Sequence, residues 1–321
     1  MSQGHLIHRV SILGTGLIGG SFALALRKYT EGLHITAWDK PDAAARAKEV
    51  GAADEIFSGE LQPAIQNADL IYVALPIGTT LDVLPEIARH AASHALVTDA
   101  CSTKVRIVQA AQDLFPKNGG PLFLGGHPMA GKELAGIANA DANLFRETTY
   151  AFIGEPARYL DDVATCVLDS ATEGGVPPSA SRCTAAELSG DPRVAALVKI
   201  VTKIGARPLW LGAQQHDYAV GLSSHLPQLA AVALASFLYD HLDENGLPIA
   251  LAGPGLRDSL RLAGSPYSTW RDIVLTNREV LSAALDLFAR RLDELREKLA
   301  SRELEADFDA ANELYKLLRS F

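Results

Sequence analysis

Gly14-Thr15-Gly16-Leu17-Ile18-Gly19 lies between an apolar run, VSIL at 10–13, and a stretch with helical periodicity. Glycines at this spacing meet three separate needs. Gly14 permits a tight turn, Gly16 lets the backbone approach a pyrophosphate, and Gly19 lets the following helix pack closely on the strand. A pyrophosphate would then rest on the amides of Leu17 and Ile18 at the positive end of that helix. Asp39 stands 20 residues after Gly19, at the end of the next apolar run, where a carboxylate can accept hydrogen bonds from adenosine ribose hydroxyls. A carboxylate there repels the 2′-phosphate of NADP, so the expected cofactor is NAD, with Lys40 beside Asp39 softening the exclusion. The glycines alone are also compatible with a turn that binds nothing; the strand, helix and acid together favour the dinucleotide.

Ligands of doubly wound sheets bind beyond the carboxyl ends of the strands. Three further segments are expected there: Pro76 to Thr80 after YVAL, Asp99 to Lys104 after LVT, and Gly125 to Gly131 after the run ending in FL. His127 sits among the glycines of the last segment, the only one of nine histidines directly after an expected sheet strand. Neutral imidazole is the side chain best suited to accept a proton near pH 7. Ser102 has two readings: its hydroxyl caps a helix starting near Thr103, or it bridges His127 and a substrate hydroxyl. Lys104 reads as a helix-surface charge. No cysteine, histidine and carboxylate cluster has metal-site spacing, and no G-x-S-x-G elbow is present. Hydride transfer assisted by an imidazole is the chemistry left.

The elements that must position these residues follow from periodicity. Apolar runs at 9–13, 34–38, 69–75, 95–99, 121–125 and 148–153 alternate with helical stretches at 17–29, 41–50, 79–91 and 103–115, the pattern of a mostly parallel sheet. Residues 155–191 form a loop-rich excursion, and a helix at 192–204 and strand at 207–211 return to the sheet. From 214 onward the chain reads as helix, broken by a loop at 243–256. The fold class expected is α/β: an N-terminal Rossmann-type dinucleotide-binding domain, 1–213, followed by an all-α helical dimerisation domain, 214–321. Leu281, Leu285, Phe288, Leu292, Leu295 and Leu299 are spaced 4, 3, 4, 3, 4, a seam that either packs inside its own domain or meets a partner helix in a homodimer.

Length and charge agree with this division. The chain has 321 residues, 48% hydrophobic, enough for about two domains of roughly 150 residues. With 29 basic against 38 acidic residues the net charge is −9, so nucleic acid and anionic membrane are not expected partners, and any anionic ligand must meet locally placed cations. The apolar stretch 226–239 is interrupted by Pro227 and Gln228 and is short for a bilayer span. Three cysteines and an N-terminus without a signal pattern lead us to expect a cytoplasmic protein.

Taken as a set, GTGLIGGS (14–21), DACSTK (99–104), GGHPMAGKELAG (125–136), SHLPQ (224–228) and LRDSLRLAGSPYSTWRDI (256–273) resemble the prephenate/arogenate dehydrogenase family of tyrosine biosynthesis. The resemblance implies oxidative decarboxylation of a 4-hydroxycyclohexadienyl carboxylate, prephenate or arogenate. It assigns His127 to the ring 4-hydroxyl, Ser102 to orienting that hydroxyl and the imidazole, and Arg261 to a substrate carboxylate. Arg257 lies nearby, Glu133 and Asp258 orient the cationic group, and Trp270 reaches the neighbouring subunit's site. The remaining expected cofactor contacts, at the carboxyl ends of the strands, are Leu75, Pro76, Thr80 and Asp99. Arg257 and Arg261 are four apart and share a helix face, which suits a dicarboxylate. Gln228 departs from the pattern, since several prephenate-preferring members carry histidine there. An amide can both accept and donate, so it suits a keto acid or an amino acid side chain. Competing readings are a β-hydroxyacid dehydrogenase or imine reductase, which leaves GGHPMAG unexplained, and a non-catalytic NAD sensor, which has no use for His127, Ser102 and Arg261 together. Steady-state kinetics should show Arg261→Ala mainly raising KM and His127→Asn mainly lowering kcat; near-wild-type values for both would remove the mechanism.

Overall fold

Runs of Val, Ile and Leu buried on both faces produce a sheet covered by helices on either side. The computed structural model describes residues 7–116, 119–132, 134–154, 190–242, 246–301 and 303–320. Its strands are β1 (Arg9–Leu13), β2 (His34–Trp38), β3 (Glu55–Phe57), β4 (Leu70–Val73), β5 (Leu96–Asp99), β6 (Leu122–Pro128), β7 (Thr149–Ile153) and β8 (Arg207–Leu211). They form one sheet in the order β3-β2-β1-β4-β5-β6-β7-β8. Every neighbouring pair is parallel except β6 and β7. Helices α1 (Leu17–Tyr29), α2 (Pro41–Glu49), α3 (Gln62–Ile65), α4 (Ile77–His90), α5 (Val105–Leu114) and α6 (Pro192–Lys203) make the crossovers. Phe22 of α1 stacks on Tyr72 of β4 with ring centroids 3.9 Å apart, fixing α1 over the point where the strand order reverses.

Three features depart from the sequence expectation. β3 and α3, of three and four residues, are too short to show a periodicity. β6 runs on through Gly125, Gly126 and His127, so the histidine lies on a strand and not in a loop. The cause is the glycine pair: a Cβ on Gly126 would come within 2.8 Å of the Asp99 carbonyl oxygen and 2.9 Å of Thr98 Oγ1. Only a bare backbone lets β6 pass that close to the end of β5. The third departure is α5, which begins at Val105 instead of near Thr103.

The chain divides into two compact units, Met1–Ala219 with Gly264–Thr276, and Val220–Ala263 with Asn277–Phe321. The division therefore differs from a single break at 213/214, for reasons visible in the first unit. Helix α7 (Ala213–Val220) is tied to the sheet by His216 and Asp217. A later helix, here numbered α11 (Tyr267–Thr276), belongs to the same unit. Its Ile273 is buried with Ile77, Cys101 and Ile107, Asp272 accepts from the Gly78 amide at 2.9 Å, and the hydroxyls of Thr276 and Thr103 lie 2.7 Å apart.

The second unit is helical: a π-helical turn at Gly221–His225, then α8 (Leu226–Asp240), α9 (Leu247–Ala250), α10 (Pro254–Leu260), α12 (Arg278–Glu297) and α13 (Glu305–Ser320). The path Ala213–Asp240 has the length and hydropathy of a membrane span. It nevertheless carries four buried polar side chains, His216, Asp217, His225 and Gln228, each hydrogen-bonded to protein groups, while Val232, Leu234, Phe237 and Tyr239 are exposed. Of the leucine seam on α12, Leu281 is buried, whereas Leu292 is 52% exposed and Leu299, just beyond it, 71%. Gly126→Ala should destabilise the chain by about 1–3 kcal/mol through overpacking, read as a lower urea midpoint; an unchanged midpoint would mean that the β5–β6 approach is not tight.

Candidate active site

The turn after β1 is shaped by close packing. Gly14 has a φ of +91°, and a Cβ there would sit 2.4 Å from the Ala74 carbonyl oxygen. A Cβ on Gly19 would lie 1.9 Å from the Gly14 carbonyl oxygen. Side chains at either position would push α1 away from the carboxyl edge of the sheet. Beside Gly16, by contrast, no atom comes within 4 Å of the Cβ position, so the turn is open at this residue. Asp39 closes the far side. Its Oδ2 accepts from the Thr15 amide at 2.6 Å and the Thr15 hydroxyl at 2.9 Å, and Oδ1 accepts from the Lys40 amide at 2.7 Å. The carboxylate thus pins the glycine turn to the end of β2, and Oδ1 retains acceptor capacity for a ribose hydroxyl.

Three of the helices that start at this edge, α1, α4 and α5, differ in how their first amides are used. The amide of Gly78 at the start of α4 is taken by Asp272, and those of Lys104 and Val105 at the start of α5 are taken by Asp217 at 2.7 and 2.9 Å. All three helices lack an acid in their own first turn, so the difference lies in these distant carboxylates, and at α1 the nearest one, Asp39, takes the Thr15 amide just ahead of the helix. Uncompensated amides and the positive dipole end favour a bound anion. Among these three helices, α1 is the one whose own first-turn amides, from Leu17 on, meet no carboxylate among the described residues.

His127 stands on the same edge, at the end of β6. Its Nδ1 lies 2.9 Å from Nε2 of His216, whose own Nδ1 lies 2.8 Å from Asp217 Oδ1. His216 and Asp217 are buried, and burial holds the His216 imidazole below its ordinary pKa, against the opposing hydrogen bond to Asp217. Beneath this chain lies a second buried group. Lys104 Nζ donates to Asp99 Oδ2 and, at 2.7 Å, to the Gly126 carbonyl. Asp99 also accepts from the amides of Gly126 and Cys101. One lysine and one aspartate therefore fix β5, α5 and the glycine pair before His127. The Cys101 thiol beside them is pushed up to about 12, by burial first and then by the Asp99 charge, which leaves it protonated and unreactive.

Several expectations change at this level. Lys104 is no surface charge; it is completely buried and ion-paired. Asp99, expected at the cofactor, is spent on those internal bonds. Thr80 is also buried, its hydroxyl donating to the Leu75 carbonyl and accepting from Cys101, so it braces the Leu75–Pro76 turn. Leu75 is half-buried and Pro76 exposed. Ser102 is half-buried ahead of α5, but the cap of that helix is Asp217. Trp270 packs on the cluster of Ile77, Cys101, Ile107 and Ile273. Glu133 lies outside the described residues.

In the second unit Arg257 and Asp258 on α10, and Arg261 on the turn that follows, are all exposed. Gln228 is buried and donates to the Leu262 carbonyl at 2.8 Å, bracing the residue after Arg261. His216 and Asp217 were missed by reading only the first carboxyl-edge segments. They follow strand β8 by a few residues, so the rule that singled out His127 could have found them.

Comparison with known proteins gives a consistent result. Residues 22–167 match the family described as "Prephenate dehydrogenase, nucleotide-binding domain", and residues 212–319 match "Prephenate dehydrogenase, dimerization domain". The chain is 30% identical over 300 residues to a prephenate dehydrogenase of Lactococcus lactis, covering 93% of this chain and 73% of the relative. It is 30% identical over 304 residues to the Bacillus subtilis enzyme, covering 92% and 71%, and 27% identical over 296 residues to a cyclohexadienyl dehydrogenase of Zymomonas mobilis, covering 92% and 89%. A crystal structure of Aquifex aeolicus prephenate dehydrogenase with hydroxyphenyl propionate and NAD+ shares the fold, with a TM-score of 0.79, 24% identity and coverage of 100% and 99%.

The role of Asp39 can be measured directly by calorimetry. The chain should bind NAD more tightly than NADP, and Asp39→Asn should narrow the preference by on the order of tenfold, about 1.4 kcal/mol. Equal affinities in the unsubstituted chain would show that this carboxylate does not select the cofactor.

Proposed function

The chain belongs to the prephenate dehydrogenase family, and on that premise we propose that it oxidises prephenate with NAD, releasing the ring carboxylate as CO2 and forming 4-hydroxyphenylpyruvate. Arogenate, oxidised to tyrosine, is the alternative substrate. The observation that carries this reading is a buried, hydrogen-bonded imidazole chain ending in His127 on the same strand edge as an uncapped glycine-turn helix.

The residues divide the work by chemistry. The amides of Leu17, Ile18 and Gly19 hold the pyrophosphate and Asp39 holds the ribose. Bound NAD supplies the hydride acceptor. His127 accepts the hydrogen bond of the ring 4-hydroxyl, takes its proton as C4 is oxidised, and returns it to the phenolic oxygen once the ring is aromatic. Ser102 orients the hydroxyl. Arg261, with Arg257, binds the carboxylates, Asp258 orienting them, and the localised cations explain how a chain of net charge −9 takes a dianion. Gln228 acts through the Leu262 carbonyl it holds as much as through any contact of its own.

The exposed apolar residues of α12 and α13, among them Leu287, Leu292, Phe308 and Leu318, support a homodimer in which these helices are covered by their counterparts. The decisive assay follows absorbance at 340 nm with NAD and prephenate, with 4-hydroxyphenylpyruvate identified as product. Binding of NAD without oxidation of either prephenate or arogenate would leave the sensor reading in its place.

A further inference from the structure

We infer that His216 and Asp217 are positioning residues that fix the tautomer of His127, making its Nε2 the proton acceptor of the reaction. This inference deepens the proposed function and rests on its assignment of His127. It starts from a counting constraint. A hydrogen bond between two neutral imidazoles needs an N–H on one ring and a lone pair on the other, so the 2.9 Å contact between His127 Nδ1 and His216 Nε2 permits only two arrangements. In one, His127 Nδ1 donates and its Nε2 is left as a base. In the other, His127 Nδ1 accepts and its Nε2 carries the proton, so that the ring can only donate to a substrate hydroxyl.

Asp217 decides between them. Its two oxygens already accept from the Lys104 and Val105 amides, and an ionised carboxylate has no proton to give. It therefore meets His216 Nδ1, 2.8 Å away, as an acceptor, and His216 must carry its proton on Nδ1. The buried His216, its pKa lowered by desolvation, is neutral near pH 7 and has a bare Nε2. That lone pair can only accept, so His127 Nδ1 must be the donor and His127 Nε2 must be the acceptor. Free histidine favours the opposite tautomer, with the proton on Nε2, so the arrangement reverses the ring's own preference.

The same chain acts a second time during turnover. When His127 takes the hydroxyl proton it becomes an imidazolium. Its Nδ1–H then points at His216, behind which stands the charge of Asp217, while Lys104 and Asp99 form a neutralised pair below. An oriented ring and a stabilised imidazolium are both required of a general base. Neither His216 nor Asp217 needs to touch the substrate.

The test uses the full chain, labelled with 15N-histidine. With NAD bound, His127 should show a protonated Nδ1 and a bare Nε2 in its nitrogen shifts. His216→Phe keeps a ring in the buried space and leaves Asp217 on the start of α5, but removes the acceptor. It should move the His127 proton to Nε2 and lower kcat for prephenate about 100-fold, with KM and the affinity for NAD within a factor of about three. His216→Gln offers its Oε1 where Nε2 stands and should recover kcat to within about tenfold of the unsubstituted chain; a purely structural role predicts no such recovery. A wild-type His127 protonated on Nε2, or a His216→Phe variant with unchanged kcat, overturns the inference. If the unsubstituted chain does not oxidise prephenate, the proposed reaction fails, while the nitrogen shifts still decide the tautomer. If His216→Phe does not fold, the wild-type shifts and the glutamine variant decide.

Discussion

The Asp217 carboxylate is the contact on which most of the site depends. It accepts from the first two amides of α5 and from the ring of His216, so one buried charge holds a helix and an imidazole in register. Directly beneath it, Lys104 and Asp99 join α5, β5 and the backbone of Gly126. Burying three charged groups is costly unless every donor and acceptor has a partner. Here the partners are mostly backbone amides and carbonyls, which cannot rotate away. The expense in solvation is offset by rigidity at the strand end that carries His127.

The same electrostatic argument sorts the helix ends on the carboxyl edge of the sheet. Each such end is a potential anion site, and an acidic chain has carboxylates available to fill it. Asp272 fills α4 and Asp217 fills α5, whereas at α1 the carboxylate of Asp39 holds the turn ahead of the helix and leaves the helix's own first amides uncovered. In the second unit Arg257 and Arg261 are exposed on a chain whose net charge is −9.

Much of the sheet could be read in advance because its signals are local. The strand, three glycines and helix at 9–29, and the acid at 39, depend on residues within a few turns of one another, and the structure has β1, α1 and β2 at the expected positions. What was misread depended on distant partners. Lys104 looks like a surface charge until Asp99 and Gly126 close around it. His127 looks like a loop residue until β7 pairs antiparallel with its strand. Helix α11 reads as part of a helical tail, yet Asp272 and Ile273 attach it to α4.

Sequence by itself located the strand–glycine–helix turn, singled out His127 as the candidate base and pointed to the family, because these rest on residue type and short spacing. Tertiary structure alone decided which polar groups are spent internally and which are left for chemistry. Asp99, Thr80 and Lys104 are consumed by packing, whereas His216 and Asp217, 89 and 90 residues beyond His127, complete its environment. The physical reason is that a hydrogen bond or ion pair gains its strength from burial, and burial is a property of the assembled chain.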